Sequence, residues 1–183
     1  MPADVAAVGI SRFVFTRTTV GPDGKARDCT VERNSGDARL GVYTCAVIMD
    51  RARFEAAKWV DGSSVYGVIR APVTYAIDSW PSESEQLRAY PPDMALSVNR
   101  LSAGAGARVK VNLAIAADEN GRVVGCIERP PFSSHARDKH FPELIDIACQ
   151  QVTSKFTALP AKDKSGKPVR SIQNVTVLFN SGG

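Results

Sequence analysis

Cys29, Cys45, Cys126 and Cys149 have the most chemistry to offer of any residues in this chain. Four thiols can pair as disulfides, lie buried and free, or contribute to a zinc site. Zinc fits poorly: no two cysteines are close enough for a C-x₂₋₄-C half-site, and the chain holds only 2 histidines. As disulfides they can pair in more than one way, and the cysteine count alone does not choose among them. Both histidines sit in "SSHARDKHFPE", where His135, Asp138, His140 and Glu143 could ligate a metal or exchange protons.

The plainer reading of that segment is a solvated inserted loop. Ser133 and Ser134 beside His135 lack the strand–turn–helix elbow of a nucleophilic serine. "SAGAGAR", Ser102 to Arg108, is rich in glycine but leads into a strand and lacks the lysine of a phosphate loop. Arg51 and Arg53 could meet an acidic partner, but read first as the C-terminal end of a helix, where positive charge suits the dipole. Trp59, Trp80 and Tyr90 read as packing between domains. No enzyme, no metal, no cofactor and no small-molecule substrate is expected.

Composition narrows the classes further. The chain has 183 residues, 44% of them hydrophobic and 23% charged, which is ordinary globular composition. Its net charge of +4 comes from dispersed Lys and Arg with no aromatic-interleaved basic run, so nucleic acid is not expected. No apolar run approaches the roughly 18 residues that cross a bilayer. The opening "MPADVAAVGIS" has no basic region and too short an apolar run for a signal peptide.

The elements that would position the cysteines occur twice. "PADVA" at Pro2–Ala6 matches "PPDMA" at Pro91–Ala95, Asp23-Gly24 matches Asn120-Gly121, and Cys29 matches Cys126. The stretch Leu40–Val65 aligns without a gap on Leu144–Val169, placing Cys45 on Cys149. "VTYAI", Val73–Ile77, matches "VTVLF", Val175–Phe179. Ordered self-similarity of this kind is the mark of a duplicated unit. The expected domains are residues 1–78 and 91–183, joined by a Pro- and Ser-rich linker at 79–90.

Each unit reads as strand, strand, helix, strand. Val109, Val111, Leu113 and Ile115 alternate strictly with polar neighbours, as a half-buried strand does. "RFVFTRTTV", Arg12–Val20, plays that part less cleanly. Asp23-Gly24 and Asn120-Gly121 supply the positive φ of tight hairpin turns. A helix follows, with Leu40, Cys45, Ile48, Met49 and Ala52 on one face in the first copy and Leu144, Ala148, Cys149, Val152 and Phe156 in the second. One cysteine then falls on the second strand and one on the helix above it, in both copies. The repeat favours Cys29–Cys45 and Cys126–Cys149, each closing a loop that stabilises a small core by ~3 kcal/mol. Persistent disulfides place the protein in an oxidising compartment.

This order of motifs resembles the TonB C-terminal domain family, here as a tandem pair. The residues that carry it are Asp23-Gly24, Cys29-Thr30-Val31, Ser35-Gly36, Leu40, Thr44-Cys45, "RARF" at Arg51–Phe54 and "AAKWVDGSSV". In the second copy they are Asn120-Gly121, Cys126, Leu144, Ala148-Cys149 and "PAKDKSGKPV", with "AYPPDMA" similar to the Tyr-Pro that opens many family domains. The second copy departs in having Cys-Ile-Glu for C-x-V and an insert between its cysteines. Neither copy follows a membrane anchor or a Pro-rich spacer, the parts with which family members transmit energy to transporters.

The resemblance implies an α+β fold: two tandem units, each a three-stranded antiparallel sheet with one helix packed on it (β-β-α-β). It implies a periplasmic, non-catalytic binding module that captures a segment of an outer-membrane TonB-dependent transporter by adding it as a strand. The full-length protein could carry an inner-membrane anchor. The expected edges are Val73, Thr74 and Tyr75 in the first copy and Val175, Thr176, Val177, Leu178 and Phe179 in the second. Pro72 removes a donor directly before the first edge, so the second copy is the expected binder. Each edge could instead be capped by the other copy, by an N-terminal segment or by a homodimer partner. The alternative function is an adaptor or scaffold recognising another envelope protein or a cell-wall component.

Overall fold

The turns organise this chain. The computed structural model describes residues 12–35, 37–75, 91–101, 107–129 and 141–181. Among them lie two helices, α1 (Ala38–Arg51) and α2 (Pro142–Lys155). The strands are β1 (Arg12–Val20), β2 (Ala26–Asn34), β3 (Ala57–Lys58), β4 (Ser64–Tyr75), β5 (Met94–Val98), β6 (Arg108–Ala117), β7 (Val123–Glu128), β8 (Ala161–Lys162), β9 (Pro168–Val169) and β10 (Ser171–Ser181). The chain divides into two compact units, Met1–Pro91 with Lys162–Lys167 and Pro92–Ala161 with Pro168–Gly183. The fold is α+β. The expected linker at 79–90 lies outside the described residues.

One turn type recurs in all the hairpins that the two units share. Gly21 N–H donates to the Lys25 carbonyl and Gly24 N–H to the Gly21 carbonyl, at 2.8 and 2.9 Å. Asp118, Arg122 and Gly121 repeat the pattern in the second unit, and the turns at Trp59–Ser63 and Asp163–Lys167 repeat it again. Only the glycine takes a positive φ, 74° at Gly24 and 80° at Gly121, while Asp23 and Asn120 do not. The turn is therefore a three-residue hairpin loop closed by a left-handed glycine rather than the two-residue Asp-Gly form. Space also demands glycine: a Cβ at Gly24 would stand 2.3 Å from the Phe54 carbonyl oxygen, and one at Gly121 2.3 Å from that of Ala158. The same backbones bond there, Phe54 N–H to the Gly24 carbonyl and Ala158 N–H to the Gly121 carbonyl. Each turn thus clamps the chain that leaves the helix.

In the first unit the strand order is β2-β1-β4, antiparallel throughout, with β3 paired to the start of β4. Val14, Thr16, Thr18 and Val20 alternate on the buried side of β1. α1 lies over that side through Leu40, Gly41 and Thr44. Gly41 lets the helix approach β2, since a Cβ there would meet the Val31 side chain at 3.1 Å. Thr44 donates to the Leu40 carbonyl and meets the Tyr75 hydroxyl at 2.9 Å. Met49, expected on the buried face, is 42% exposed. The packed face runs along Leu40, Thr44 and Ile48, so a polar threonine and a glycine fill positions that a search for apolar spacing passes over.

In the second unit β6 pairs β7 on one side and β10 on the other, both antiparallel. Val109, Val111, Leu113 and Ile115 are buried together, as their alternation requires, and α2 covers them through Leu144, Ala148 and Val152. A further strand departs from the expected three-stranded antiparallel sheet. β5 lies parallel to β10, with Val177 opposite Met94 and Ser181 opposite Val98. Its five residues alternate apolar and small behind Pro91-Pro92, too short a run to stand out against an irregular lead-in.

Disulfides join sheet to helix inside each unit. Cys29 of β2 binds Cys45 of α1 and Cys126 of β7 binds Cys149 of α2, with Cα separations of 5.5 and 5.6 Å. No cysteine is free. Among the described residues, no helix is long and apolar enough to cross a membrane.

Candidate functional site: strand edges

The expected binding residues fall in the two longest of the described strands, at the end of β4 and within β10. Val73, Thr74 and Tyr75 close β4, where they pair with Val14, Phe13 and Arg12 of β1. Pro72 lies inside β4, opposite Phe15, and so does not stand before a separate strand. Tyr75 is held by its hydroxyl contact with Thr44. Val175–Phe179 lie in β10, paired along one side with Leu113–Val109 of β6.

The other side of β10 is occupied over much of the expected site. Val177, Leu178 and Phe179 pair with Met94, Ala95 and Leu96 of β5. This pairing is the capping by an N-terminal segment that the sequence left open, and it matters physically, because a backbone already bonded on both sides offers no free ladder to an incoming segment. Asp93 starts the pairing: its N–H donates to the Thr176 carbonyl at 2.8 Å and its carboxylate accepts the Thr176 N–H at 2.8 Å. Met94, Leu96 and Val98 pack against the second core, whereas Ala95 and Ser97 point outward and are exposed. Motif spacing drew attention to β10 and missed the strand that fills it. The available signal was an acid followed by apolar–small alternation in "DMALSV".

Two outer strands are paired on one side only among the described residues. β2 pairs β1, and β7 pairs β6. β2 carries Arg27, Asp28, Glu32 and Arg33, the kind of charge that discourages edge-to-edge pairing. β7 is less defended, with Val124 52% and Ile127 67% exposed.

The electrostatics point to structure more than chemistry. Glu32 receives Arg70 at 2.8 Å and Arg17 at 3.7 Å, and the Arg70 guanidinium stands 5.3 Å from the centre of the Phe15 ring. Asp37 caps α1 by accepting the Arg39 N–H at 2.8 Å. Hydrogen bonds from the Arg39 side chain and backbone hold its carboxyl at about 2, well below the ordinary 3.8. The Ser165 hydroxyl, with backbone amides of its turn, likewise lowers Asp163.

Of the other residues singled out in the sequence, Arg51 is exposed beside Asp50, and Arg53 donates to the Asp50 and Ala52 carbonyls at the end of α1. Trp59 opens the β3–β4 turn and is half-buried. Glu143 lies in the first turn of α2, exposed. His135, His140, Asp138, Ser133, Ser134, Trp80 and Tyr90 lie outside the described residues. Among those described, no three His, Cys, Asp or Glu residues gather as a metal site would. Compared with family models, curated proteins and solved structures, the chain matches none.

Proposed function

We propose that this protein is a non-catalytic, periplasmic binding module of the TonB C-terminal kind, with two related units in tandem. Its partner is an extended segment of an outer-membrane transporter, taken up by strand addition for energy-coupled nutrient uptake. The observation that carries this reading is β5. An extended stretch already lies parallel along Val177–Ser181, with Met94, Leu96 and Val98 inserted toward the core. The edge of β10 therefore has the hydrogen-bonding and side-chain complementarity that strand addition needs. The oxidising compartment is supported by two disulfides that stabilise small cores. The tandem reading is supported by the shared turn, the shared glycine clamp and the matching sheet-to-helix sulfur links.

A second reading has its own support. Because β5 fills part of β10 and β7 exposes Val124 and Ile127, the module could serve as an envelope adaptor that meets another protein through β7. Titration with transporter-derived peptides, followed by backbone amide shifts, separates the two. Shifts centred on Val175–Ser181 support the transporter reading. Shifts centred on Val123–Glu128, or none at millimolar peptide, overturn it.

A further inference from the structure

We infer that β5 is an exchangeable strand: it occupies the docking site on β10 as a resident stand-in, and a partner segment binds by taking its place. This rests on the strand-addition reading above. Three observations carry it. β5 is more lightly held than β6: Met94, Leu96 and Val98 are only half-buried against the core and Ala95 and Ser97 are exposed, whereas Val109, Val111, Leu113 and Ile115 of β6 are buried. Elements with few buried contacts open locally at far lower cost than the core. Its pairing is parallel and five residues long, against ten antiparallel pairs between β6 and β10. Parallel ladders are slightly weaker per residue.

The third observation is where the chain is anchored. Asp93 fastens the start of β5 through its two bonds to Thr176. Beyond the strand, Leu101 is 8% exposed and belongs to the core of the unit. Release of the Asp93 contacts would free β5 to swing about Leu101 with the rest of the core intact. The vacated edge would then present main-chain groups from Val177 to Ser181 and recesses shaped by Met94, Leu96 and Val98. The replacement ligand follows from β5 itself: an extended segment with an acid first and apolar side chains at alternate positions, running parallel to β10.

The test uses the full chain and a labelled synthetic peptide of sequence PDMALSV. Native-state hydrogen exchange should show β5 amides exchanging at least about tenfold faster than β6 amides. Asp93→Ala should speed β5 exchange by at least about tenfold, the scale of losing a charge-assisted carboxylate–amide bond, and leave β6 unchanged. The peptide should bind Asp93→Ala several-fold tighter than the parent, with amide shifts at Val177–Ser181. Leu96→Ala weakens β5 by a second route and should act in the same direction, so a poorly folding Asp93→Ala does not end the test. β5 amides protected as strongly as β6, or equal peptide affinity for parent and variants, would overturn the exchange. The partner class is tested separately. If PDMALSV exchanges with β5 but transporter peptides do not bind, exchange stands and the transporter reading falls. If transporter peptides bind while β5 stays protected, the reverse holds.

Discussion

Arg17 and Arg70 stand directly opposite one another across β1 and β4, and both reach the carboxylate of Glu32 on β2. Two like charges in register repel, so the pair depends on the acid between them. All three side chains keep between 21% and 28% of their surface exposed, which moderates the effect. Glu32→Gln should destabilise the protein by about 1 kcal/mol, and by less in an Arg17→Ala background, where no repulsion remains. Denaturant midpoints for the two singles and the double measure this. An equal cost of Glu32→Gln in both backgrounds would show that Glu32 does not bridge the arginines.

The turn glycines separate conformational strain from steric exclusion. Gly62 has a φ of 81° but open space around a prospective Cβ, whereas Gly24 adds a backbone oxygen at 2.3 Å. Gly62→Ala should cost about 1–2 kcal/mol, the penalty of a left-handed alanine. Gly24→Ala and Gly121→Ala should cost about 2–4 kcal/mol, because the strand-to-helix-end clamp must also open. Thermal melts of the three variants rank them, and a Gly62→Ala as damaging as Gly24→Ala would remove the clamp from the explanation.

What could be read from the sequence was what neighbouring residues state among themselves. The β6 alternation, the turn glycines, the α2 stripe and the position of each cysteine on a strand or a helix all lie in local patterns. Met49 was misplaced because α1 packs through Gly41 and Thr44, whose fit to β2 and to Tyr75 depends on neighbours distant in sequence. β5 was invisible for a similar reason. Its partner in β10 lies some eighty residues away, as the Asp93–Thr176 bond spanning 83 positions illustrates, and no local rule assigns a five-residue run to a parallel ladder. The candidate site was therefore legible as a strand with capping an open alternative, while the capping residues themselves were not legible.

The two sulfur links should contribute nearly equally. They close loops of 16 and 23 residues, and loop-closure entropy grows only with the logarithm of length. Replacing Cys29 and Cys45 together by Ser should cost about 2–4 kcal/mol. The Cys126 and Cys149 pair should cost about 0.3 kcal/mol more, close to the resolution of the measurement. Proteolysis of unreduced protein followed by mass measurement should return Cys29 with Cys45 and Cys126 with Cys149. Crossed fragments would contradict the intra-unit links.

Acid should weaken the start of α1 in a defined window. The Asp37 carboxyl is held at about 2 in the folded protein by hydrogen bonds from the Arg39 side chain and backbone, against an ordinary 3.8. A depressed folded pKa means that the unfolded chain takes up the proton first. The stabilising contribution is therefore complete above about pH 4 and is lost as pH falls through the folded value. Asp163 shifts in the same direction and adds to the same limb. Asp37→Asn keeps an oxygen acceptor for the Arg39 N–H but has no charge to neutralise. Its melting temperature should start lower than the parent's at pH 6 and fall less steeply between pH 4 and 2. Parallel curves for parent and variant would show that the Asp37 carboxylate does not set the acid limb.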